Sequence, residues 1–280
     1  MSRPPNKWFG VAINNYPNAP LRGCVADRQT VMKDFGSRFN YVGWDWRSAI
    51  NATATKQRII EGLKWLGTGS KDQTRVFTAS GHGTPQTKAG KLQTVFCPVN
   101  FDWSEENSLF AHEILEIIGN YPSGGRLLIV WDSCYSEWDS DDGMRSINSL
   151  VTPRLVTARA YPMADQPDMS ELNTQQVVHE DTLAKAIESG AVPCCYLPAC
   201  LTKGIASPQG ETAADVTIGG ASFGAHTNKL SKIWNAVPFV TSFQNVADQQ
   251  RAELAAEQYQ QHCYAQGSQK SLTLAEMFGK

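Results

Sequence analysis

The sequence lacks a long hydrophobic run, a strong net charge and a regular cysteine spacing. None of the apolar stretches in its 280 residues approaches the ~20 residues that span a bilayer. The formal net charge of −2 gives no electrostatic reason to expect nucleic acid or an anionic membrane as a partner. The N-terminal stretch MSRPPNKWFG has no signal-peptide hydrophobic segment, so we expect a cytoplasmic protein.

The seven cysteines form no recognisable framework of disulfides or metal ligands. Their number is odd and their spacing irregular, which indicates reduced thiols. They cluster only in PCCYLPAC, residues 193–200, where a second Cys or His pair at zinc-finger spacing is missing. We therefore expect a buried strand at this position and no structural metal.

The composition is otherwise that of a globular α/β protein. With 41% hydrophobic residues, the chain can bury a sizeable core as one large domain or two small ones. Short apolar runs alternate with segments of helical spacing, which predicts a mainly parallel sheet covered by helices on both faces. Thr55 and Ser108 are expected to cap helices, and residues 271–275 to form a last short strand. Residues 137–178 are polar, contain three prolines and are interpreted as a long surface insertion or linker.

Two apolar runs break abruptly into small and polar residues, and each break carries a chemically active side chain. His82 lies between Gly81 and Gly83 in RVFTASGHGT, and Cys134 lies in RLLIVWDSCYS. Ligands bind beyond the carboxyl ends of parallel strands, so the imidazole and the thiol are placed to meet there. A cysteine nucleophile needs a nearby base, and acyl transfer needs oxyanion donors, here the N–H groups of Gly83 and Cys134. The pattern alone also fits a buried structural cysteine and an ordinary loop histidine.

Five motifs occur in the order found in caspase-like cysteine peptidases. They are LRGCVADR (21–28), SGHGT (80–84), PVNF (98–101), DSCYS (132–136) and ETAAD…GGASFGAHT (211–227). The sequence most closely resembles the metacaspase and bacterial orthocaspase branch, peptidase family C14. The resemblance implies a cysteine endopeptidase with His82 as general base and Cys134 as nucleophile. It also implies one caspase-like α/β domain with about six mostly parallel strands. Residues 1–136 would be its large-subunit-like part, 137–178 a linker and 179–280 its small-subunit-like part.

Two acidic residues predict the specificity of this site. Asp27 near the first helix and Asp132 just before the nucleophile are both expected at the same edge of the sheet. Two carboxylates in one pocket repel each other unless a cation joins them, and a substrate Arg or Lys would be that cation. The resemblance implies the same pocket, because Cys24, Asp27, Ser80 and Asp132 match the primary pocket of metacaspases. The alternative is that Asp27 caps a helix and Asp132 bonds backbone.

The resemblance also raises the question of calcium, which many metacaspases bind through acidic residues. Here Asn100 replaces one acid, and Ala111 and His112 fall where an acidic pair would lie. The acidic run at 139–142 follows the nucleophile, but it also fits a solvated loop. Hard cations need several oxygen ligands, so we expect no cofactor and no required metal, with calcium left open.

The predicted partners are protein or peptide substrates with Arg or Lys at the cleavage site. The linker itself carries Arg145, Arg154 and Arg159, which predicts self-processing as in many relatives. Metacaspases are generally monomeric, so the resemblance favours a monomer. Two alternatives to the peptidase stay open: a catalytically silent caspase-like scaffold that binds partners, and another thiol hydrolase such as an amidase.

Overall fold

The structure is a computed structural model that describes residues 5–39, 43–88, 91–133, 157–158, 192–199, 214–218, 220–257, 259, 261 and 263–279. The described strands are β1 (Lys7–Ala12), β2 (Asp45–Ile50), β3 (Thr74–Ser80), β4 (Gly83–Lys88), β5 (Lys91–Phe96), β6 (Leu109–Phe110), β7 (Arg126–Asp132), β8 (Thr157–Ala158), β9 (Cys195–Pro198), β10 (Ala214–Ile218) and β11 (Ala221–Gly224). The described helices are α1 (Cys24–Ser37), α2 (Lys56–Gly67), α3 (Ala111–Gly119), α4 (Ala225–Ala236), α5 (Phe243–Ala256) and α6 (Leu274–Phe278). None of these helices is both long and apolar enough to cross a membrane.

The main sheet is parallel throughout its described part, with strand order β2-β1-β3-β7-β9. Parallel neighbours need crossover connections, which α1 provides after β1 and α2 provides after β2. This arrangement confirms the predicted α/β fold. Two small antiparallel sheets accompany it, with strand orders β4-β5-β6 and β11-β10-β8.

The central strands β1, β3 and β7 are buried on both faces, as the prediction of a covered parallel sheet requires. Neighbouring residues on a strand point to opposite faces. Phe9 and Phe77 pack in a core with apolar side chains of α2 and α3. Their neighbours Trp8 and Val76 pack in a second core with apolar side chains of α1, α4, α5 and α6. The strand ends that carry the candidate site are thus fixed by packing from both sides.

The predicted last strand at residues 271–275 is wrong. Thr273 instead caps α6: its hydroxyl accepts the Glu276 N–H at 3.1 Å, and its own N–H donates to the Glu276 carboxylate at 2.8 Å. This capping box satisfies exposed backbone groups and starts a helix where alternating residues indicated a strand. The main sheet consequently has five strands in the described residues, where the resemblance implied about six.

One of the two predicted helix caps is confirmed. Thr55 caps α2 by accepting the Arg58 N–H at 3.3 Å. Ser108 does not cap α3, whose N-cap is Phe110. The Ser108 hydroxyl instead donates to Gln86 Oε1, and this bond connects the segment before α3 to β4.

The predicted insertion, residues 137–178, lies outside the described residues except for Thr157–Ala158, which form β8. β8 pairs antiparallel with β10. The three predicted self-cleavage residues also lie outside the described residues; they are Arg145, Arg154 and Arg159. The strand β9 follows the insertion and pairs with β7, which precedes it, so one sheet joins the two predicted parts. Their boundaries stay predictions.

The strands β1, β3 and β7 end at the same level. Ala12, Ser80 and Asp132 are register partners across them. Segments that follow these ends therefore meet above one edge of the sheet, the usual ligand site of open α/β folds.

Candidate active site

His82 lies two residues after the end of β3, and its side chain is buried at the carboxyl edge of the main sheet. The preceding Gly81 donates its N–H to the Asp132 carbonyl at 3.3 Å. A Cβ on Gly81 would lie 2.6 Å from Tyr16 Oη and 2.9 Å from Phe96 Cζ. Glycine therefore lets the chain reach His82 without displacing these two rings.

A bond to the Ala19 carbonyl fixes the tautomer of His82. His82 Nε2 lies 2.7 Å from the Ala19 oxygen. A carbonyl oxygen only accepts hydrogen bonds, so Nε2 must carry the ring proton. In the neutral ring Nδ1 then holds the lone pair, and it is the atom able to take a proton from a thiol.

Tyr16 holds both the backbone and the ring of His82. Its hydroxyl accepts the His82 N–H at 3.0 Å and donates to the Cys97 carbonyl at 2.8 Å. The tyrosine and histidine rings lie 4.6 Å apart between centroids, at 54°. Sequence reasoning missed Tyr16 and Ala19, because the segment NNYPNAP that contains them indicates only a turn.

Tyr16→Phe is expected to lower kcat for a peptide with Arg at the cleavage position by about tenfold and to change KM little. Phenylalanine keeps the ring contact but loses the hydroxyl between His82 and Cys97, so the predicted base, His82, is held less firmly. Steady-state kinetics separates kcat from KM. Tyr121→Phe is a matched control, since the Tyr121 hydroxyl donates to the Leu63 carbonyl far from the site. An equal loss of kcat in both variants would contradict a positioning role.

Gly83 is one of the two predicted oxyanion donors, and the direction of its backbone N–H suits that role. It is paired with Phe96 across β4 and β5. The preceding pair is hydrogen-bonded, since the Cys97 N–H donates to the His82 carbonyl at 3.0 Å. Bonded and non-bonded pairs alternate along antiparallel strands, so the Gly83 N–H points away from β5. Its oxyanion role stays a prediction.

Asp27 lies in the first turn of α1 and is buried, but its side chain does not cap that helix. Asp27 Oδ2 accepts the Ser80 hydroxyl at 2.7 Å, and Oδ1 accepts the Gly224 N–H at 2.7 Å. Cys24, one turn earlier, is fully buried. The structure thus places three of the four predicted pocket residues, Cys24, Asp27 and Ser80, at the same edge of the sheet.

Asp132, the fourth, ends β7 opposite Ser80 and is also buried. Its Oδ2 accepts the Thr227 N–H at 3.0 Å and the Thr227 hydroxyl at 2.6 Å. Thr227 lies in the first turn of α4, and Gly224 is the N-cap of the same helix. The N-terminus of a helix presents N–H groups without intrahelical partners and favours negative charge. The start of α4 therefore stabilises both carboxylates, of Asp27 and of Asp132.

These bonds bear on the alternative interpretation of the two aspartates. Asp132 does bond backbone, as that alternative expects, whereas Asp27 bonds α4 and Ser80 instead of capping its own helix. The Ser80, Gly224 and Thr227 groups are neutral donors, so they stabilise the carboxylates without removing their charge. Two buried carboxylates at neighbouring strand ends are the feature on which the predicted cation pocket depends.

A third buried carboxylate, Asp215 of β10, joins the second half of the chain to α1. Its Oδ2 accepts the N–H groups of Arg22 and Gly23, both at 3.0 Å. Asp215 is the register partner of Gly224, which in turn donates to Asp27. Asp215 of β10 therefore bonds the start of α1, and Asp27 of α1 bonds the start of α4. Sequence reasoning did not select Asp215, although its place in the motif ETAAD was a usable signal.

The predicted nucleophile, Cys134, lies just outside the described residues. The chain is described up to Ser133, which is buried and accepts the Trp131 Nε1–H at 2.6 Å. Ser133, the residue before the predicted nucleophile, thus follows β7 at the same edge of the sheet as His82. The position of Cys134 relative to the His82 imidazole stays a prediction, as does its N–H as an oxyanion donor.

The described cysteines are reduced and buried, which agrees with the absence of a disulfide framework in the sequence. Burial raises the pKa of the Cys194 thiol to about 12 and raises that of Cys195 well above its ordinary value. Both thiols therefore stay protonated and poorly reactive at neutral pH. They lie in and beside β9, the buried strand predicted for PCCYLPAC.

Within the described ranges, no group of three or more His, Cys, Asp or Glu side chains is placed to hold a metal ion. Asn100 bonds Asn107 at 2.6 Å, and His112 lies in the first turn of α3. Burial, with the positive charge of Lys88, lowers the pKa of His112. The acidic run at 139–142 lies outside the described residues, so the expectation about calcium stays a prediction.

Comparisons with known proteins agree with this architecture. Protein GSU0716 from Geobacter sulfurreducens has a similar solved structure, with a TM-score of 0.59 at 15% identity over 93% of this chain and 92% of that one. At this identity the likeness shows the fold alone. No curated protein matches the sequence. Residues 8–141 match the family model described as "Metacaspase, peptidase C14 domain", and this stretch contains His82 and both aspartates of the predicted pocket. This match, over slightly less than half of the chain, supports a caspase-like cysteine peptidase of the metacaspase type.

Proposed function

We propose that the protein is a cysteine endopeptidase that cleaves after Arg or Lys, with Cys134 as nucleophile and His82 as general base. The observation that carries this proposal is the pair of buried carboxylates beside the base. Asp27 and Asp132 are 2% and 1% exposed, and each is linked to Ser80, by a hydrogen bond or by strand register. Burial removes water from the two carboxylates, and a substrate cation between them would compensate for that loss with ion pairs.

The charge of the pocket decides between substrate classes. A guanidinium group can donate to two carboxylates at once in a planar fork, and a lysine ammonium can approach either of them. An acidic substrate side chain would bring a third negative charge into the same buried region, which is costly. We therefore expect cleavage after Arg or Lys and not after Asp.

The mechanism follows from the tautomer of His82. Nδ1 takes the thiol proton of Cys134, and the thiolate attacks the substrate carbonyl carbon. The N–H groups of Gly83 and Cys134 stabilise the oxyanion. The imidazolium then protonates the leaving amine, and the neutral ring activates the water that releases the acyl group. The Ala19 carbonyl supports both steps, because it accepts a bond from Nε2–H in the neutral and the charged ring.

Fluorogenic peptides that end in Arg, Lys or Asp test the proposal directly. Wild type and Cys134→Ala are compared on each peptide, with and without added calcium. We expect turnover of the Arg and Lys peptides by wild type only, because the alanine variant has no nucleophile.

The outcomes separate the competing functions. If neither condition gives Cys134-dependent turnover of any peptide, the catalytically silent scaffold is favoured and the peptidase proposal is refuted. Cleavage of the Asp peptide would refute the proposed acidic pocket and leave the peptidase proposal standing. Turnover only with calcium would overturn the expectation that no metal is required.

We also propose that the enzyme processes itself in the linker, where Arg145, Arg154 and Arg159 fit the proposed specificity. A polar sequence that connects the two halves and carries the preferred residue is a natural substrate for an adjacent site. The proposed enzyme acts as a cytoplasmic monomer on proteins and peptides, without nucleic acid or membrane partners.

A further inference from the structure

The β1–α1 loop, residues 13–23, supplies two groups that hold His82. The Tyr16 hydroxyl accepts the His82 N–H, and the Ala19 carbonyl lies 2.7 Å from His82 Nε2. The same loop leads into α1, whose first turn carries Asp27. The path of the β1–α1 loop therefore affects the predicted base and the predicted acidic pocket together.

Asn14 closes the β1–α1 loop on itself. Its carbonyl accepts the Leu21 N–H at 2.8 Å, and its side-chain Nδ2 donates to the Arg22 carbonyl at 3.3 Å. The start of the loop is thus bonded to its end through both the backbone and the side chain of one residue. The Ala19 carbonyl lies on the span between these bonds, so its position beside His82 depends on the closure.

The other end of the Asn14 amide binds the start of α1. Its Oδ1 accepts the Cys24 N–H at 2.9 Å and the Val25 N–H at 3.3 Å. The first N–H groups of a helix lack intrahelical partners, and Gly23, the N-cap of α1, has no side chain to bind them. Asn14 therefore caps the helix that carries Asp27, from ten residues before Cys24.

An amide at position 14 meets both demands because it carries an acceptor and a donor. The helix needs an acceptor for its N–H groups, whereas the Arg22 carbonyl needs a donor. A carboxylate could not donate to that carbonyl. It would also add a negative charge near Asp215, whose carboxylate accepts the N–H groups of Arg22 and Gly23.

Asn51 holds Asn14 in place. Its Oδ1 accepts the Asn14 N–H at 2.8 Å and the Asn15 N–H at 3.3 Å. Asn51 directly follows β2, whose last residue, Ile50, is the register partner of Ala12 at the end of β1. Its φ of 46° lies in the left-handed region, which asparagine tolerates better than most residues. The turn after β2 thus directs a side-chain acceptor at the first residues of the loop.

We propose that Asn14 and Asn51 are positioning residues that couple the general base to the specificity pocket. The inference rests on the proposed function and adds how its two parts are held together. Asn51 fixes Asn14 at the start of the loop. Asn14 in turn fixes the loop carbonyl that bonds His82 and the helix that carries Asp27. Loss of these bonds is therefore expected to impair catalysis and substrate binding at once.

Asn51→Gly tests the coupling, because glycine keeps the left-handed turn and removes the acceptor. We expect kcat for an Arg peptide to fall about tenfold and KM to rise about threefold, since small displacements of a base or a binding group are costly. Asn51→Asp should restore kcat and KM to wild-type values, because both bonds go to Oδ1 and a carboxylate oxygen can accept them. Asn120→Gly is a matched control and should leave both unchanged, since Asn120 ends α3 and bonds the Glu116 carbonyl.

The tautomer of His82 gives a readout that does not need turnover. Nitrogen NMR of histidine-labelled protein reports it, with His82→Gln to assign the signal. Wild type should carry the ring proton on Nε2, because the Ala19 carbonyl accepts it. In Asn51→Gly the loop carbonyl is released, so both tautomers should appear. In Asn51→Asp the Nε2 form should return.

The kinetic and NMR results separate this inference from the proposed function when each variant is studied well below its melting temperature. If Asn51→Gly keeps the wild-type kcat or the wild-type KM, or if Asn51→Asp loses as much as Asn51→Gly, the inference fails and the peptidase stands. A single His82 tautomer in Asn51→Gly would also overturn it. If wild type shows no Cys134-dependent turnover, the proposed function fails, and the spectra alone decide whether Asn51 positions His82.

Discussion

His82→Gln is expected to lower kcat for an Arg peptide by about 10³-fold, because the site loses the nitrogen that removes the thiol proton and protonates the leaving amine. Glutamine is the informative replacement. Its amide can still donate to the Ala19 carbonyl that now faces Nε2, so the buried oxygen keeps a partner. The loss then reports the missing base and not a collapsed loop.

Steady-state kinetics on wild type and His82→Gln measures this effect, with thermal unfolding as the check on folding. Tyr16→Phe supplies the comparison, because it removes a neighbouring hydroxyl and leaves the imidazole in place. A histidine variant that keeps its melting temperature and more than a tenth of the wild-type kcat would exclude His82 as the general base.

Asp132→Asn is expected to lower kcat/KM for an Arg peptide by about 10²-fold or more, because it removes a buried charge from the proposed pocket. The two bonds from Thr227 should survive the change. Both bonds from Thr227 go to one oxygen, Oδ2, so an asparagine oxygen can accept them in the same position. Asp27→Asn is less clean, since both of its oxygens accept bonds, from Ser80 and from Gly224.

Kinetics on Arg and Lys peptides compares Asp132→Asn with Asp45→Asn, a matched control. Asp45 is exposed at the first residue of β2, at the amino end of the sheet. The control should cut both peptides like wild type. If Asp132→Asn did so too, the carboxylate would only stabilise α4, and the specificity would have to come from elsewhere.

The sequence predicted the main elements and the side chains at the strand ends. Apolar runs that stop at SGHG and DSC predicted β3 and β7, and their parallel pairing accounts for Ser80 beside Asp132. These predictions held because burial on both faces of a parallel strand leaves a strong local signal. The error at residues 271–275 is local as well, since the reciprocal bonds of Thr273 and Glu276 outweigh a weak strand pattern.

What could not be predicted is the set of contacts between distant segments. The hydroxyl of Tyr16 accepts the N–H of His82, 66 residues later in the chain, and Asp27 accepts the N–H of Gly224, 197 residues later. The composition of NNYPNAP and ASFGAHT does not indicate that these two segments approach the strand ends. Such contacts depend on how helices dock on the sheet, which local periodicity does not encode.

The dependence of both pocket acids on the start of α4 also sets an order during synthesis. Thr227 is made 95 residues after Asp132, and Gly224 is made 197 residues after Asp27. When His82 and Cys134, the proposed base and nucleophile, leave the ribosome, the helix that stabilises the two carboxylates has not yet been translated. Domains fold from the N-terminus as the chain emerges, so the proposed pocket can form only after residue 227 has been made. The proposed selectivity for Arg and Lys is therefore absent from a nascent chain that has not yet reached α4.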